Sequence, residues 1–268
     1  MRRFPLAPLI LSLMAPTISR WRHLTPRPKG ASLGGRVQTY LGPRRQKGPL
    51  TQTEYRQHSF TLPAGALDLL LVRHGESEPA IAGRPFPLVD GHGDPALHAN
   101  GAAQAIAVGA RLRDEPLMAL YVTTLRRTHQ TAAPLAAHLG LTPVVEADLR
   151  EVHLGDWEGG LFRIKATQGA PEALRARAQQ DWGETPGAET CAALQSRVSN
   201  ALWRLAARHP DQQIAAFVHG GVIEAALAVA TGAQNFAFNG SANGAISRLV
   251  LTEGRMVLRG FNDCAHLG

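Results

Sequence analysis

The sequence predicts an α/β layer fold built on a largely parallel sheet, and three observations carry that expectation. From Asp68 onward, short apolar runs alternate with longer stretches of helical periodicity, the pattern of strands joined by crossover helices. Three of the apolar runs, in DLLLVRH, MALYVTTLRR and QQIAAFVHGG, are followed by arginine or histidine. In open parallel sheets ligands gather where strands end and helices begin, so the placement of the charges agrees with the placement of the apolar residues.

The elements follow in order. DLLLVR, starting at Asp68, reads as a buried strand. An irregular stretch rich in Gly, Pro and Asp separates it from NGAAQAIAVGARLRD, which reads as a helix. MALYVTT is a second strand, followed by the helical RRTHQTAAPLAAHLG, whose end is marked by Gly140. TPVVEADL is strand-like. After a variable helical middle, ETCAALQSRVSNALWRLAARH sets Leu194, Val198, Leu202 and Leu205 at helical spacing. QQIAAFVHGG is a buried strand meeting a helix, and AISRLVL with RMVLRGF closes as a hairpin. No internal repeat is visible, so the expected organisation is a basic, mostly unstructured segment over 1–67 and one domain over 68–268.

Charge separates these two parts. The 268 residues carry a formal net charge of +7, yet residues 1–67 hold 11 of the 28 Lys and Arg and only 1 of the 21 Asp and Glu. That segment has a balance of +10, and residues 68–268 have a balance of −3. The high net charge is therefore no argument for a nucleic-acid-binding domain. The Pro- and Gly-rich segment has no periodic apolar face to offset the entropy of ordering it. It is read as a solvated tail, against weak attraction to nucleic acid or membrane or a targeting peptide. In MRRFPLAPLILSLMAPTIS, prolines interrupt the apolar stretch and no small-x-small site follows, which argues against a secretory signal. No other run approaches the roughly 20 apolar residues of a spanning helix. Cys191 and Cys264 set no disulfide framework and no metal-ligand spacing. The expected location is cytoplasmic, with export through the N-terminal segment as the alternative.

The strand ends suggest a chemistry. Arg73 beside His74 disfavours protonation of the imidazole, leaving a neutral ring that can attack and a cation that can hold the target. Arginine offers a planar fork of donors for phosphate or carboxylate. Cations from Arg73 and from Arg126 or Arg127, with His74 and His219 nearby, suit a tetrahedral dianion. A histidine attacking phosphorus forms a covalent intermediate that divides a difficult transfer into two steps. The leaving alkoxide needs a proton, and Glu151, after VVEADL, is the candidate donor. A carboxyl group close to a bound dianion holds its proton more readily and serves as general acid.

RHGES at 73–77, TTLRRTHQTA at 123–132, LREVHLGDWEG at 149–159 and FVHGG at 217–221 resemble, in order and spacing, the histidine phosphatase superfamily, also called phosphoglycerate mutase-like. GAAQA, PGAET and FNDCAHL extend the resemblance over most of the chain. It implies a three-layer sandwich, with a mostly parallel central sheet and helices on both faces. It implies hydrolysis of small phosphomonoesters through a phosphohistidine, without metal or cofactor. His74 would be the nucleophile and Glu151 the proton donor, with Arg73, Arg127 and His219 binding the phosphoryl group. The family's arginine lies four residues before its Thr-Ala, which selects Arg127 over Arg126. LGDWEGG points to the phosphatase branch; a phosphoglycerate mutase-type transfer is the alternative, and a catalytically weak phospho-ligand binding protein on the same scaffold ranks after both. The partner implied is a small phosphorylated metabolite, and the sequence leaves a homodimer open.

The chain also departs from the family. Ala80 stands where many members have Asn, so Ser77 or Arg84 is expected to replace a phosphate-contacting amide, with Gly220 a further substrate contact. The loop Ile81–Asp94 is longer than usual and is read as a mobile lid. Thr123 and Thr124 replace a usual Ser-Ser. The segment Phe162–Trp182 should shape the pocket, and in it Arg163, Lys165, Arg175 and Arg177 offer cations to a second anionic group, although a solvated helix face is the commoner fate. His92, His98, His129, His138 and His153 read as surface or loop residues, His92 and His153 with a claim to substrate contact. Trp157 and Trp182 read as packing.

Overall fold

In a computed structural model, which describes residues 55–268, the chain is organised around β1, Leu67–Arg73. Its side chains alternate between two cores, as the period of a strand requires. Leu67, Leu69 and Leu71 face one cluster, and Leu70 and Val72 face the other. β1 is flanked by β6, Gln212–Val218, in parallel and β7, Ile246–Thr252, antiparallel. β6 repeats the alternation, with Ile214, Ala216 and Val218 on the first side and Ala215 and Phe217 on the second. Burial on both faces explains why these strands read as continuous apolar runs. Adding β4, Leu117–Val122, β5, Val144–Val145, and β8, Arg255–Asp263, gives a six-stranded sheet in the order β5-β4-β6-β1-β7-β8.

Helices cover both faces. α1, Ala99–Leu112, and α2, Arg126–Leu139, bury Val108, Leu112, Ala132 and Leu135 on one side. α5, Cys191–Arg208, and α6, Gly220–Thr231, close the other, with Leu194, Val198, Leu202 and Leu205 on the inner face of α5. The short α3, Leu161–Thr167, and α4, Pro171–Gln179, lie between them in sequence. This is the three-layer arrangement expected. The hairpin β7–β8 turns on Glu253 and Gly254, both at positive φ, which suits a two-residue turn. At the opposite end of the strands from the site, Asp68 is buried and ties three strands together. It accepts from Arg248 at 2.6 and 2.7 Å and from Gln213 at 2.8 Å.

The basic segment expected over 1–67 falls, for residues 1–54, outside the described residues, and the compact unit that holds the sheet runs from His58 to Gly268. Ala66 and Leu67 are wholly buried, Leu67 pairing with Gln212 and Leu251. Two expectations need correction. The strand-like TPVVEADL forms only the two exposed residues of β5, because it sits at the sheet edge with β4 as its single neighbour. The chain then turns through a 3-10 segment, Ala147–Leu149, capped by Glu146, so Glu151 arrives on a loop. The longer loop folds as a second, two-stranded sheet of β2, Leu88–Val89, and β3, His92–Gly93. It is fastened where Phe86 N–H donates to the Gly159 carbonyl at 2.9 Å and Gly93 N–H to Glu158 at 2.7 Å. Among the described residues no helix is long and apolar enough to cross a membrane.

The turn after β1 is pressed against α1. A Cβ on Gly75 would meet the carbonyl oxygen and Cα of Gly101, and one on Gly101 would meet the backbone of Glu76. Gly101→Ala should therefore destabilise the protein, although the same change in an open helix stabilises by about 1 kcal/mol. Denaturant unfolding checks the sign, and a raised midpoint would refute this account of the turn.

Candidate active site

The site is built from strand ends. After β1, His74 N–H donates to the Val218 carbonyl at 3.0 Å, which carries the chain across the mouth of β6. The side-chain amide of Asn243 donates to the His74 carbonyl at 2.9 Å. Gly75 N–H donates to Thr131 Oγ1 at 3.0 Å, and that hydroxyl donates to the Arg127 carbonyl at 2.7 Å. The turn is thus tied to both α1 and α2. The His74 ring is buried, and its Nδ1 lies 2.7 Å from the Gly75 carbonyl oxygen. A carbonyl only accepts, so Nδ1 carries the proton and Nε2 keeps its lone pair.

A cavity of about 250 Å³ opens at this edge, with Arg73, His74, Arg127, Glu151 and Gly220 on its wall. His219 is wholly buried behind it, its ring centroid 5.1 Å from that of His74. Its Nε2 is 3.0 Å from Thr123 Oγ1, and its Nδ1 has no partner. Arg73 Nε and Arg127 Nε are buried without partners as well. Arg73 donates through Nη1 to the Ser241 carbonyl, and Arg127 through Nη1 to the Gly93 carbonyl at 2.9 Å. Unpartnered buried polar groups are uncommon in folded proteins; three around one imidazole, on a cavity, form a set of donors suited to an anion. The N-terminus of α6, with Gly220 and Gly221 on the wall, adds its dipole in the same sense.

Charge and burial act together here. Burial, then Arg127 and Arg73, hold the His74 imidazole well below its usual range. Burial, then Arg127, does the same for His219. Burial also pulls the Arg127 guanidinium down to about 10, which leaves it charged at neutral pH. Both imidazoles are therefore neutral when the guanidinium groups are cationic.

Glu151 is held at both ends. Its Oε1 accepts from Val152 N–H at 2.9 Å and from Gly221 N–H at 3.0 Å. Its carbonyl, and those of Asp148 and Arg150, accept from Arg197 of α5, which also pairs with Glu189 at 2.7 Å. With Oε1 engaged, Oε2 is the oxygen able to carry a proton. A Cβ at Gly221 would come within 2.6 Å of Oε1, so glycine is required at that position for the carboxyl to sit there.

The structure separates Arg126 from its neighbour. Arg126 pairs with buried Asp94 at 2.7 Å, while Asp94 accepts the Arg126 backbone N–H at 2.8 Å and so caps α2 from outside. Two of the expected residues are not on the wall. Ser77 forms a backbone bridge to Leu97, and its hydroxyl accepts from Arg163 Nη2 at 2.8 Å. Arg84 is exposed because its backbone closes a tight turn onto Ile81. Of the four cations weighed in the middle segment, Arg163 alone is on the wall, joined by Phe162 and Trp182. His92 is there too, its ring 5.0 Å from that of His153. Sequence reasoning assigned nothing to Glu158, Phe86, Asn239 or Arg197. Glu158 lay inside a quoted motif, but the others carry no periodic or motif signal.

A family model described as the histidine phosphatase superfamily (branch 1) matches residues 69–264. Metal-independent phosphoserine phosphatase of Arabidopsis thaliana is 29% identical over 204 residues, covering 75% of this chain and 83% of that protein. Phosphoserine phosphatase 1 of Hydrogenobacter thermophilus is 30% identical over 208 residues, covering 75% and 94%. Among solved structures, a mycobacterial glucosyl-3-phosphoglycerate phosphatase aligns with a TM-score of 0.61 at 28% identity, over 74% of this chain and 99% of that one. A phosphoglycerate mutase from Bacillus anthracis, 19% identical, shares the fold with a TM-score of 0.62 over 76% and 96%.

The buried neutral histidines couple stability to pH. Their folded pKa lies below the unfolded value of about 6.5, so below that pH the unfolded chain binds more protons. Stability is full above pH 6.5 and falls as pH drops, with a slope of up to about 1.4 kcal/mol per pH unit for each histidine. Urea unfolding between pH 8 and 5 should show this loss, and His74→Asn should remove about one proton from the slope. An unaltered slope would mean that His74 is not held neutral.

Proposed function

We infer the activity from a plain premise: the chain belongs to the histidine phosphatase superfamily. It hydrolyses small phosphomonoesters, in keeping with its phosphatase relatives. The observation that carries the mechanism is the fixed tautomer of His74, a neutral imidazole whose lone pair stands among unpartnered cationic donors.

His74 Nε2 attacks phosphorus, the N–P bond forms, and the P–O bond to the alcohol breaks. Arg73 and Arg127 spread their charge over the phosphoryl oxygens, and His219 donates from the side opposite Thr123. Charge developing on those oxygens in the transition state meets donors already in place. The step as written calls for no metal or cofactor, because the two guanidinium groups supply the countercharge. Glu151 gives its proton through Oε2 to the departing alkoxide. In the second step the same carboxylate takes a proton from water as the water oxygen bonds to phosphorus, and the N–P bond breaks to release inorganic phosphate. One carboxyl group thus serves as acid and then as base.

Purified protein should release phosphate from p-nitrophenyl phosphate, and His74→Ala should abolish the release; equal rates would refute the role of His74. Arg127→Ala should lower kcat/KM by about 10²- to 10³-fold, the cost of roughly 3–4 kcal/mol seen for one lost oxyanion donor. The same change at Arg126, which serves Asp94, should act on stability instead. A rate loss at Arg126 equal to that at Arg127 would overturn the distinction.

A further inference from the structure

α6 carries a buried carboxyl group that the reaction does not use. Glu224 lies one turn after Gly220 and is only 3% exposed. It shares a narrow crevice with Cys191, Leu194 and Gln195 of α5. Glutamate is seldom buried unless a cation pairs with it, yet here Oε1 accepts from the backbone N–H of Phe236 and Oε2 is buried without a partner. Leaving an oxygen bare in that interface is unfavourable, so what Oε1 holds must matter to the fold or to the site.

It holds a strained residue. Phe236 has a φ of 65°, a left-handed backbone that bulky side chains seldom adopt, and such outliers gather at functional sites. Its ring packs on Trp182 of the cavity wall, with centroids 4.6 Å apart, and the neighbouring Asn235 accepts from Gln195 Nε2 at 2.8 Å. From there the Phe236 carbonyl accepts Asn239 N–H at 3.2 Å, and the chain passes Asn239 and Gly240 on the wall to reach Ser241. The Ser241 carbonyl is the group that orients Arg73, accepting from Nη1 while Nε is left bare. The far side of Ser241 is tied to β8, where Ala242 N–H donates to Asn262 Oδ1 at 2.7 Å. The near side is left to Glu224 and its neighbours.

We propose that Glu224 is a positioning residue for phosphoryl binding, pinning Phe236 in its left-handed backbone so that the Ser241 carbonyl stays on the Arg73 guanidinium. The proposal rests on the phosphoryl-binding role of Arg73 in the hydrolase reading. Without the acceptor, Phe236 relaxes to negative φ, its peptide turns, and the segment through Asn239 shifts with it. Arg73 then loses the dipole that aims it into the cavity. A neutral acceptor serves as well as a charged one, because the bond needs an oxygen and Oε2 has nothing to pair with; burial accordingly pushes the Glu224 carboxyl up from its usual range. Glutamine at this position keeps the oxygen, whereas leucine keeps only the bulk.

The test reads calorimetric binding of inorganic phosphate and kcat/KM for p-nitrophenyl phosphate. Glu224→Leu should weaken both about tenfold, the order expected when a buried N–H loses its acceptor, while Glu224→Gln stays within about threefold of wild type. In an Arg73→Ala background, assayed at high enzyme concentration, Glu224→Leu should lower kcat/KM by no more than about threefold further, because residues that act through one another are not additive. Equal losses with and without Arg73 would overturn the proposal by making Glu224 a general stabiliser. Phe236→Pro removes the same N–H and forbids positive φ while leaving the interior of α6 intact. It should reproduce the loss even where Glu224→Leu fails to fold, and wild-type phosphate affinity in Phe236→Pro would refute the positioning role. Amide exchange over residues 233–242 should quicken in Glu224→Leu and not in Glu224→Gln; unchanged exchange in the leucine variant would likewise refute it. An inactive wild type whose phosphate binding is still weakened by Glu224→Leu would sink the hydrolase reading and leave the positioning role standing, whereas an active wild type indifferent to Glu224→Leu would do the reverse.

Discussion

Positive charge held without a direct ion pair is the constraint on which the site depends. Arg73, Arg127 and Arg163 are drawn partly or wholly out of water, and among the described residues none has a carboxylate within 4 Å, although the more distant charge of Glu151 acts on all three. A buried cation left without a counterion costs several kcal/mol, so the fold must hold these groups there. It does so with dipoles instead of charges. The carbonyls of Ser241, Gly93 and Glu78 each accept one guanidinium hydrogen, and the Ser77 hydroxyl accepts another. Dipoles orient a guanidinium without cancelling its field. The field is therefore available to an entering anion, and it helps keep the neighbouring imidazoles unprotonated.

Parts of this arrangement were legible in the sequence because they obey local rules. The apolar runs of β1 and β6 are buried on both faces, so they read as strands, and each delivers its charged residue directly at its end; β4 is exposed at Met118, and Arg127 follows it in the first turn of α2. Arg73, His74, Arg127 and His219 could be nominated for that reason. Glu151 was nominated for a wrong structural reason: the preceding segment is mostly a 3-10 turn, and Arg197 reaching from α5 holds the loop instead of a strand. Ser77 and Arg84 were nominated as direct contacts because they lie near Ala80 in sequence. Whether either reaches the cavity depends on packing between distant segments. Ser77 is turned toward Arg163, and Arg84 is spent on a surface turn.

The loop before α1 teaches the same lesson from the other direction. Its glycines, prolines and aspartates read as irregular chain, yet several of its polar groups have tertiary partners. Asp94 caps α2, and Gly93 contributes its carbonyl to Arg127 and its N–H to Glu158. The loop is ordered by bonds to elements that follow it in the chain, a type of information that no window of sequence contains. The same holds for Asn239 and Gly240, which reach the wall from the connection after α6.

The hairpin of β2 and β3 has a consequence for how such a molecule could change. The outer wall of the cavity is assembled from this hairpin, from α3 and from the connection after α6, three pieces that contribute nothing to the pairing of the central sheet. The hairpin also reaches inward, because the Gly93 carbonyl holds Arg127 and Asp94 anchors the start of α2. A graft that exchanged this rim would therefore have to keep Gly93 and Asp94, or it would release the arginine that lines the floor.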